Sequence, residues 1–211
     1  MKVRLCDLIE NLLKQFEYEA SLRDEVIKLS REIISLAKSV IISTHNREYD
    51  RCEETLIKLK DIVNEFIEKT KRGEKLYYSG MVRDTLTEYV EAIQFYNLAK
   101  RGKYVKYEEI NVPPSSYILG LLDTVGELRR LLLDLLKNGD LAEAERMLSY
   151  MEEIYSAICL LNIPDAILPG YRRKCDVTRQ LLERSKSELV YVKATMSIIN
   201  NLIKGKKLKR N

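Results

Sequence analysis

The sequence predicts an all-α protein. Glycine (8 of 211 residues) and proline (4) are scarce and gather at a few points. The stretches between them carry apolar residues at three- and four-residue intervals, the period of a helix with one buried face. A hydrophobic content of 45% is enough for a substantial core in one domain of this length.

Taken in order, a helix is expected near 4–19, a long one near 22–45 and a third near 49–70. Lys71-Arg-Gly-Glu74 breaks the pattern before a fourth at 80–100, which Arg101-Gly102 ends by supplying a residue that tolerates positive φ. Pro113-Pro114 restarts the chain for a fifth at 114–137. Asn138-Gly-Asp140 reads as a helix stop followed at once by an aspartate N-cap, opening a sixth at 140–161. Pro164 and Pro169-Gly170 mark the last connection before a final long helix from about 168 to 204. Residues 1–204 are thus expected to form a single domain of seven helices, and the basic 205–211 a disordered tail.

The scattered cysteines Cys6, Cys52, Cys159 and Cys175 include no CxxC pair, so neither a disulfide framework nor a thiolate zinc site is indicated. His45 is the one histidine, which removes histidine-rich zinc sites and Ser-His-Asp or Cys-His catalysis. Chemistry here must rest on carboxylates, lysines or a metal. No apolar run approaches the roughly 20 residues that cross a bilayer, and nothing marks a targeting segment. A soluble cytoplasmic protein without membrane contact is expected. The net charge of +4 is concentrated in the tail. Phosphate binding would therefore depend on where basic residues lie, not on their sum.

Two acidic segments stand out. Glu88 and Glu91 are three apart, on one helix face, and border an apolar stripe that includes Ala92 and Phe95. On the next long helix aliphatic residues occupy most directions, leaving a narrow polar stripe of Asp123, Glu127 and Arg130. Gly120, one turn earlier, offers room for close approach. Two acidic pairs supply the hard oxygen ligands that Mg²⁺ prefers, with positions open for water and a phosphate oxygen, as in a phosphodiesterase. The alternative is ordinary pairing with Lys or Arg, for instance of Asp123 or Glu127 with Arg130.

Together the segments Glu88-Tyr-Val-Glu-Ala92 and Tyr117-Ile-Leu-Gly-Leu-Leu-Asp-Thr-Val-Gly-Glu-Leu128 resemble the translin family, in its Trax-type branch. Ile27-Lys-Leu-Ser-Arg-Glu32 and Asn138-Gly-Asp140 are similar to further parts of that family, and Tyr171–Arg179 resembles it in character. The resemblance implies a seven-helix bundle that assembles into a closed homo-oligomeric shell, expected to be an octamer. It also implies a catalytic metal site of Glu88, Glu91, Asp123 and Glu127, holding Mg²⁺ or Mn²⁺. Translin subunits usually have unrelated residues at positions 88, 91 and 123. The departures are a short connection between the fourth and fifth helices and the basic tail.

Arg31, Lys38 and His45 are seven apart and Lys28 lies near the same face, while Leu29, Ile33, Leu36, Ala37 and Val40 define the other. Such a stripe, with Arg130, is a candidate RNA-binding set; an amphipathic helix facing water is the alternative. Tyr77, Tyr78 and Tyr89 could stack on bases or simply pack. The expected function is a metal-dependent endoribonuclease acting on single-stranded or partly unpaired RNA inside the shell. The alternatives are a non-catalytic shell that binds single-stranded RNA or DNA, and a helical assembly protein with no nucleic-acid role.

Overall fold

The computed structural model describes residues 5–208. Among these are seven α-helices and no strand: α1 (Leu5–His45), α2 (Tyr49–Thr70), α3 (Glu74–Tyr77), α4 (Gly80–Arg101), α5 (Pro114–Lys137), α6 (Leu141–Ile154) and α7 (Tyr171–Leu208). A 3₁₀ turn at Tyr107–Glu109 precedes α5, and a π-helical turn at Tyr155–Cys159 follows α6.

The all-helical expectation holds, but the division differs at both ends. The two helices expected at 4–19 and 22–45 are one helix of 41 residues. No glycine or proline interrupts Glu17–Leu22, so the hydrogen-bond ladder continues through it. The single turn α3 fills the connection expected to be irregular, with the Leu76 and Tyr77 amides donating to Gly73 O at 2.9 and 3.0 Å. The sixth helix stays α-helical only to Ile154 before the wider π turn. α7 runs to Leu208, four residues past its expected end, and the rest of the tail lies outside the described residues.

The predicted punctuation is in place. Asp140 caps α6 by accepting a hydrogen bond from the Glu143 amide at 3.2 Å. Gly102 and Gly139 close α4 and α5 at φ of 63° and 79°, backbone conformations that side chains with a Cβ rarely adopt.

The chain forms two compact units. One comprises residues up to Tyr96 together with Val105–Gly120; the other comprises Asn97–Tyr104 together with Leu121 onward. In the first, α1 buries Val26, Ile33, Ala37 and Val40 completely, at the alternating intervals of a helix packed along one stripe. Removing aliphatic side chains of this kind from water stabilises by about 1.5–3 kcal/mol each for the larger ones. α2 contributes Leu59, Val63, Phe66 and Ile67, and α4 contributes Leu86, Val90 and Phe95. The buried Ser30 Oγ meets Thr85 Oγ1 at 2.7 Å, which ties α1 to α4. Gln94, fully buried, donates to Val105 O (2.8 Å) and accepts from Val105 N (3.0 Å), and Tyr117 also donates to Val105 O at 2.7 Å. A side-chain amide thus satisfies both the carbonyl and the amide of this loop residue.

In the second unit, α6 and α7 run antiparallel, as two ion pairs show: Lys186 pairs with Glu152 at 2.7 Å, and Lys193, two turns later on α7, pairs with Glu145, two turns earlier on α6. α5 is fastened to α7 by Arg129, whose guanidinium donates twice to Glu188 at 2.8 Å and once to Ser185 Oγ at 2.8 Å. Tyr171, buried at the start of α7, directs its hydroxyl at the carbonyls of Ile158 (2.6 Å) and Leu161 (2.9 Å), closing the end of the π turn.

Candidate functional site

Glu88 and Glu91 lie on α4 in the first unit, both half-buried, beside the fully buried Ala92 and Phe95. Their turn is fitted against the first part of α5 at Gly120. A Cβ there would stand 2.6 Å from Val90 Cβ and Cγ1 and 2.9 Å from Thr87 O. Thr87 and Val90 are the chain neighbours of Glu88 and Glu91, so the missing side chain at 120 sets where the glutamate turn lies against α5. The close approach expected from the sequence is present. Tyr89, on the same turn, is buried, and its phenol is pushed up to about 12 by desolvation. It is a packing residue and does not stand ready to stack on a base.

Asp123 and Glu127 lie one turn apart on the part of α5 that belongs to the second unit, with side chains 29% and 23% exposed. The aliphatic residues around them, Leu122, Val125 and Leu128, are buried, which leaves the two acids on the narrow polar stripe the sequence marks out. Each faces a cation of its own unit. Asp123 is ion-paired with Lys174 of α7, and Glu127 with Arg130 at 4.0 Å. The Glu127–Arg130 pairing is the ordinary alternative weighed above; Lys174 is a partner that helical spacing along α5 has no means of revealing.

The donor set suits a hard divalent ion, being carboxylate oxygen throughout. Among the described residues, however, no group of three or more His, Cys, Asp or Glu side chains is arranged to hold a metal ion. At Asp123 and Glu127 the positive charge is supplied by the protein itself.

Lys28, Arg31 and Lys38 are exposed on α1, as a phosphate-binding stripe requires. Exposed acids accompany them: Asp24, Glu25 and Glu32. Glu25 is paired with Lys69 of α2 at 2.5 Å, and that hydrogen bond and charge hold its carboxyl below the usual range. His45 departs from the stripe, its ring half-buried against Phe95 at 4.7 Å between centroids. Arg130 is 62% exposed at the edge of the Asp123 and Glu127 stripe. Tyr78 is exposed and meets Tyr77 edge-on at 5.1 Å.

Comparison with known proteins places these observations. The sequence model of the Translin family matches residues 21–192. An uncharacterised protein of Methanocaldococcus jannaschii is 32% identical over 209 residues, covering 97% of this chain and 88% of that protein. Translin-associated protein X of Pongo abelii is 23% identical over 193 residues, covering 71% of this chain and 67% of its own length. Among solved structures, AfC3PO matches at a TM-score of 0.82 with 31% identity, covering 89% of this chain and 97% of that one. A complex of AfC3PO with duplex RNA matches at 0.77 with 32% identity and the same coverage. NeC3PO without ligand shares the fold at 0.81 with 22% identity.

Proposed function

The chain belongs to the translin family, and from that premise we propose that it binds RNA and cuts it as a metal-dependent endoribonuclease within a homo-oligomeric shell. The observation that carries this reading is the pair of half-buried acidic turns, Glu88 with Glu91 and Asp123 with Glu127, in a chain 32% identical to a protein solved with duplex RNA. A bound Mg²⁺ or Mn²⁺ held by these four carboxylates would neutralise the scissile phosphate and activate a water for attack. The protein's own part is to hold the carboxylates half-shielded from bulk water. The exposed Lys28, Arg31, Lys38 and Arg130 would grip the RNA backbone without selecting bases. Single-stranded or partly unpaired RNA is the proposed substrate. Since the complex of AfC3PO contains duplex RNA, the two forms of RNA belong side by side in the test. The proposed assembly is an octamer working in the cytoplasm; no described helix is long and apolar enough to cross a membrane.

The deciding experiment is cleavage of labelled single-stranded and duplex RNA by wild type, Asp123→Asn and Glu91→Gln, with Mg²⁺ or EDTA, at matched oligomeric state. Cutting that needs the ion and both carboxylates supports the proposal. Full activity in Asp123→Asn would sink it. A second reading, a shell that binds single-stranded RNA or DNA without cutting, is favoured by the ion pairs already made by Asp123 and Glu127. Tight binding without cleavage would select it.

A further inference from the structure

Cys159 and Cys175 are far apart in a sequence that has no CxxC pair, and the fold brings them together. Their meeting point is the buried Tyr171. Its hydroxyl lies 2.6 Å from the Ile158 carbonyl and 2.9 Å from that of Leu161, on either side of Cys159 and Leu160. Cys175 is one turn beyond Tyr171 on α7, and helical side chains lean back toward the N-terminus, so its thiol falls over the Tyr171 turn. There it is a hydrogen-bond partner of both the Tyr171 hydroxyl and the Cys159 thiol. Both thiols are half-buried and free. Burial, and then the neighbouring Cys175, pushes the Cys159 thiol well above the usual range, so it keeps its proton. The connection 160–170 that the two cysteines flank is exposed except at the half-buried Ile163 and the buried Leu168. Few buried contacts therefore hold it between its ends.

We propose that Cys159 and Cys175 are a reversible modification site, a thiol pair that closes to a disulfide and latches the π turn to α7. The oxidant is a small-molecule disulfide. One cysteine, as thiolate, attacks a sulfur of that molecule; a mixed S–S bond forms, the small molecule's own S–S bond breaks, and the released thiolate takes up a proton. The second cysteine then gives up its proton and attacks the protein sulfur of the mixed disulfide, displacing the remaining small thiol. The protein gains one S–S bond, two small thiols leave with both protons, and the two electrons lost by the cysteines reside on them. Because Cys159 holds its proton tightly, closure accelerates as pH rises. Closing this loop removes freedom from the unfolded chain, so the oxidised protein melts about 5–10 °C above the reduced one.

The test treats the intact protein with glutathione disulfide under native conditions, alkylates the remaining thiols and maps linked peptides by mass spectrometry, with thermal unfolding of the same samples. The expected result is a Cys159–Cys175 link within one chain, formed faster at alkaline than at neutral pH, with the raised melting temperature; dithiothreitol should reverse both. Cys6→Ser should keep the link and Cys175→Ser should lose it. Should Cys175→Ser fail to fold, the wild-type peptide map still decides, since it names the bonded cysteines directly. Glutathione adducts at these two thiols without a link between them, a link to another copy of the chain, or no reaction at either thiol overturns the proposal. A link that leaves the melting temperature unchanged overturns the latch.

Discussion

A single methyl group added at Gly120 probes how the glutamate turn of α4 is fitted against α5. On the existing backbone the new Cβ of Gly120→Ala would stand 2.6 Å from Val90 Cβ and Cγ1 and 2.9 Å from the carbonyl oxygen of Thr87, where comfortable contact begins near about 3.5 Å. A rotation of Val90 relieves only its Cγ1; its Cβ and the carbonyl belong to the α4 main chain and move only if the helix moves. Overpacking of this kind costs about 1–3 kcal/mol, and the upper end applies because two of the three opposing atoms are unable to turn aside. Against it stands the helix-interior preference for alanine over glycine, about 0.8–1 kcal/mol. Gly126→Ala, on the same helix, gains that preference without the clash, since its Cβ would meet nothing within 4 Å. Comparing the two variants cancels the preference. Gly126→Ala should melt above wild type, and Gly120→Ala below Gly126→Ala by about 3 kcal/mol, a difference of about 6–12 °C for a chain of this size. Thermal unfolding followed by circular dichroism measures both. Equal melting of the two alanine variants would refute the close fit, and with it the argument that Gly120 positions Glu88 and Glu91.

Arg129→Ala removes a two-pronged contact with Glu188 and the hydrogen bond to Ser185. Because Glu188 is 41% exposed, screening limits the cost to about 1–2 kcal/mol, read as a lower urea midpoint. Tyr89 ties stability to alkaline pH. Its phenol titrates near about 12 when folded and near about 10 when unfolded, so its contribution is whole below pH 10 and is lost as pH rises toward 12. Equilibrium unfolding across that window should fall less steeply for Tyr89→Phe than for wild type. Replacing Lys28, Arg31 and Lys38 with glutamine should flatten the salt dependence of RNA binding by about one unit of log–log slope per lost phosphate contact; an unchanged slope removes the α1 stripe from the RNA interface.

Features governed by local chemistry were legible in the sequence. The Asp140 cap, the positive φ at Gly102 and the close approach at Gly120 each follow from a residue type suited to one backbone need. The all-helical class and the buried face beside Glu88 and Glu91 follow from periodicity. The break expected between residues 19 and 22 is absent because, with no glycine or proline nearby, continuing the ladder loses less than ending it. Lys174 was out of reach for a different reason. The run Arg172-Arg173-Lys174 announces cations at the start of α7, but which of them turns toward Asp123 is decided by tertiary packing, which the period of either helix leaves open. The same limit applies to His45, whose place in a seven-residue series said nothing of the Phe95 ring it packs against.

α7 is held differently from α1. Its buried stripe of Tyr171, Thr178, Leu182, Ser185 and Leu189 is narrow and partly polar, whereas Lys174, Lys186, Glu188 and Lys193 each reach an opposite charge on α5 or α6. Heat acts unequally on the two kinds of attachment. The cost of stripping water from charges falls as temperature rises, while the gain from burying hydrocarbon levels off. Warming therefore shifts the relative strength of attachment toward α7, and concentrated salt in the cold shifts it away, since the Debye length shrinks to about 3 Å at 1 M. The last helix acts as a clamp that tightens, relative to the rest of the molecule, in hot and dilute surroundings.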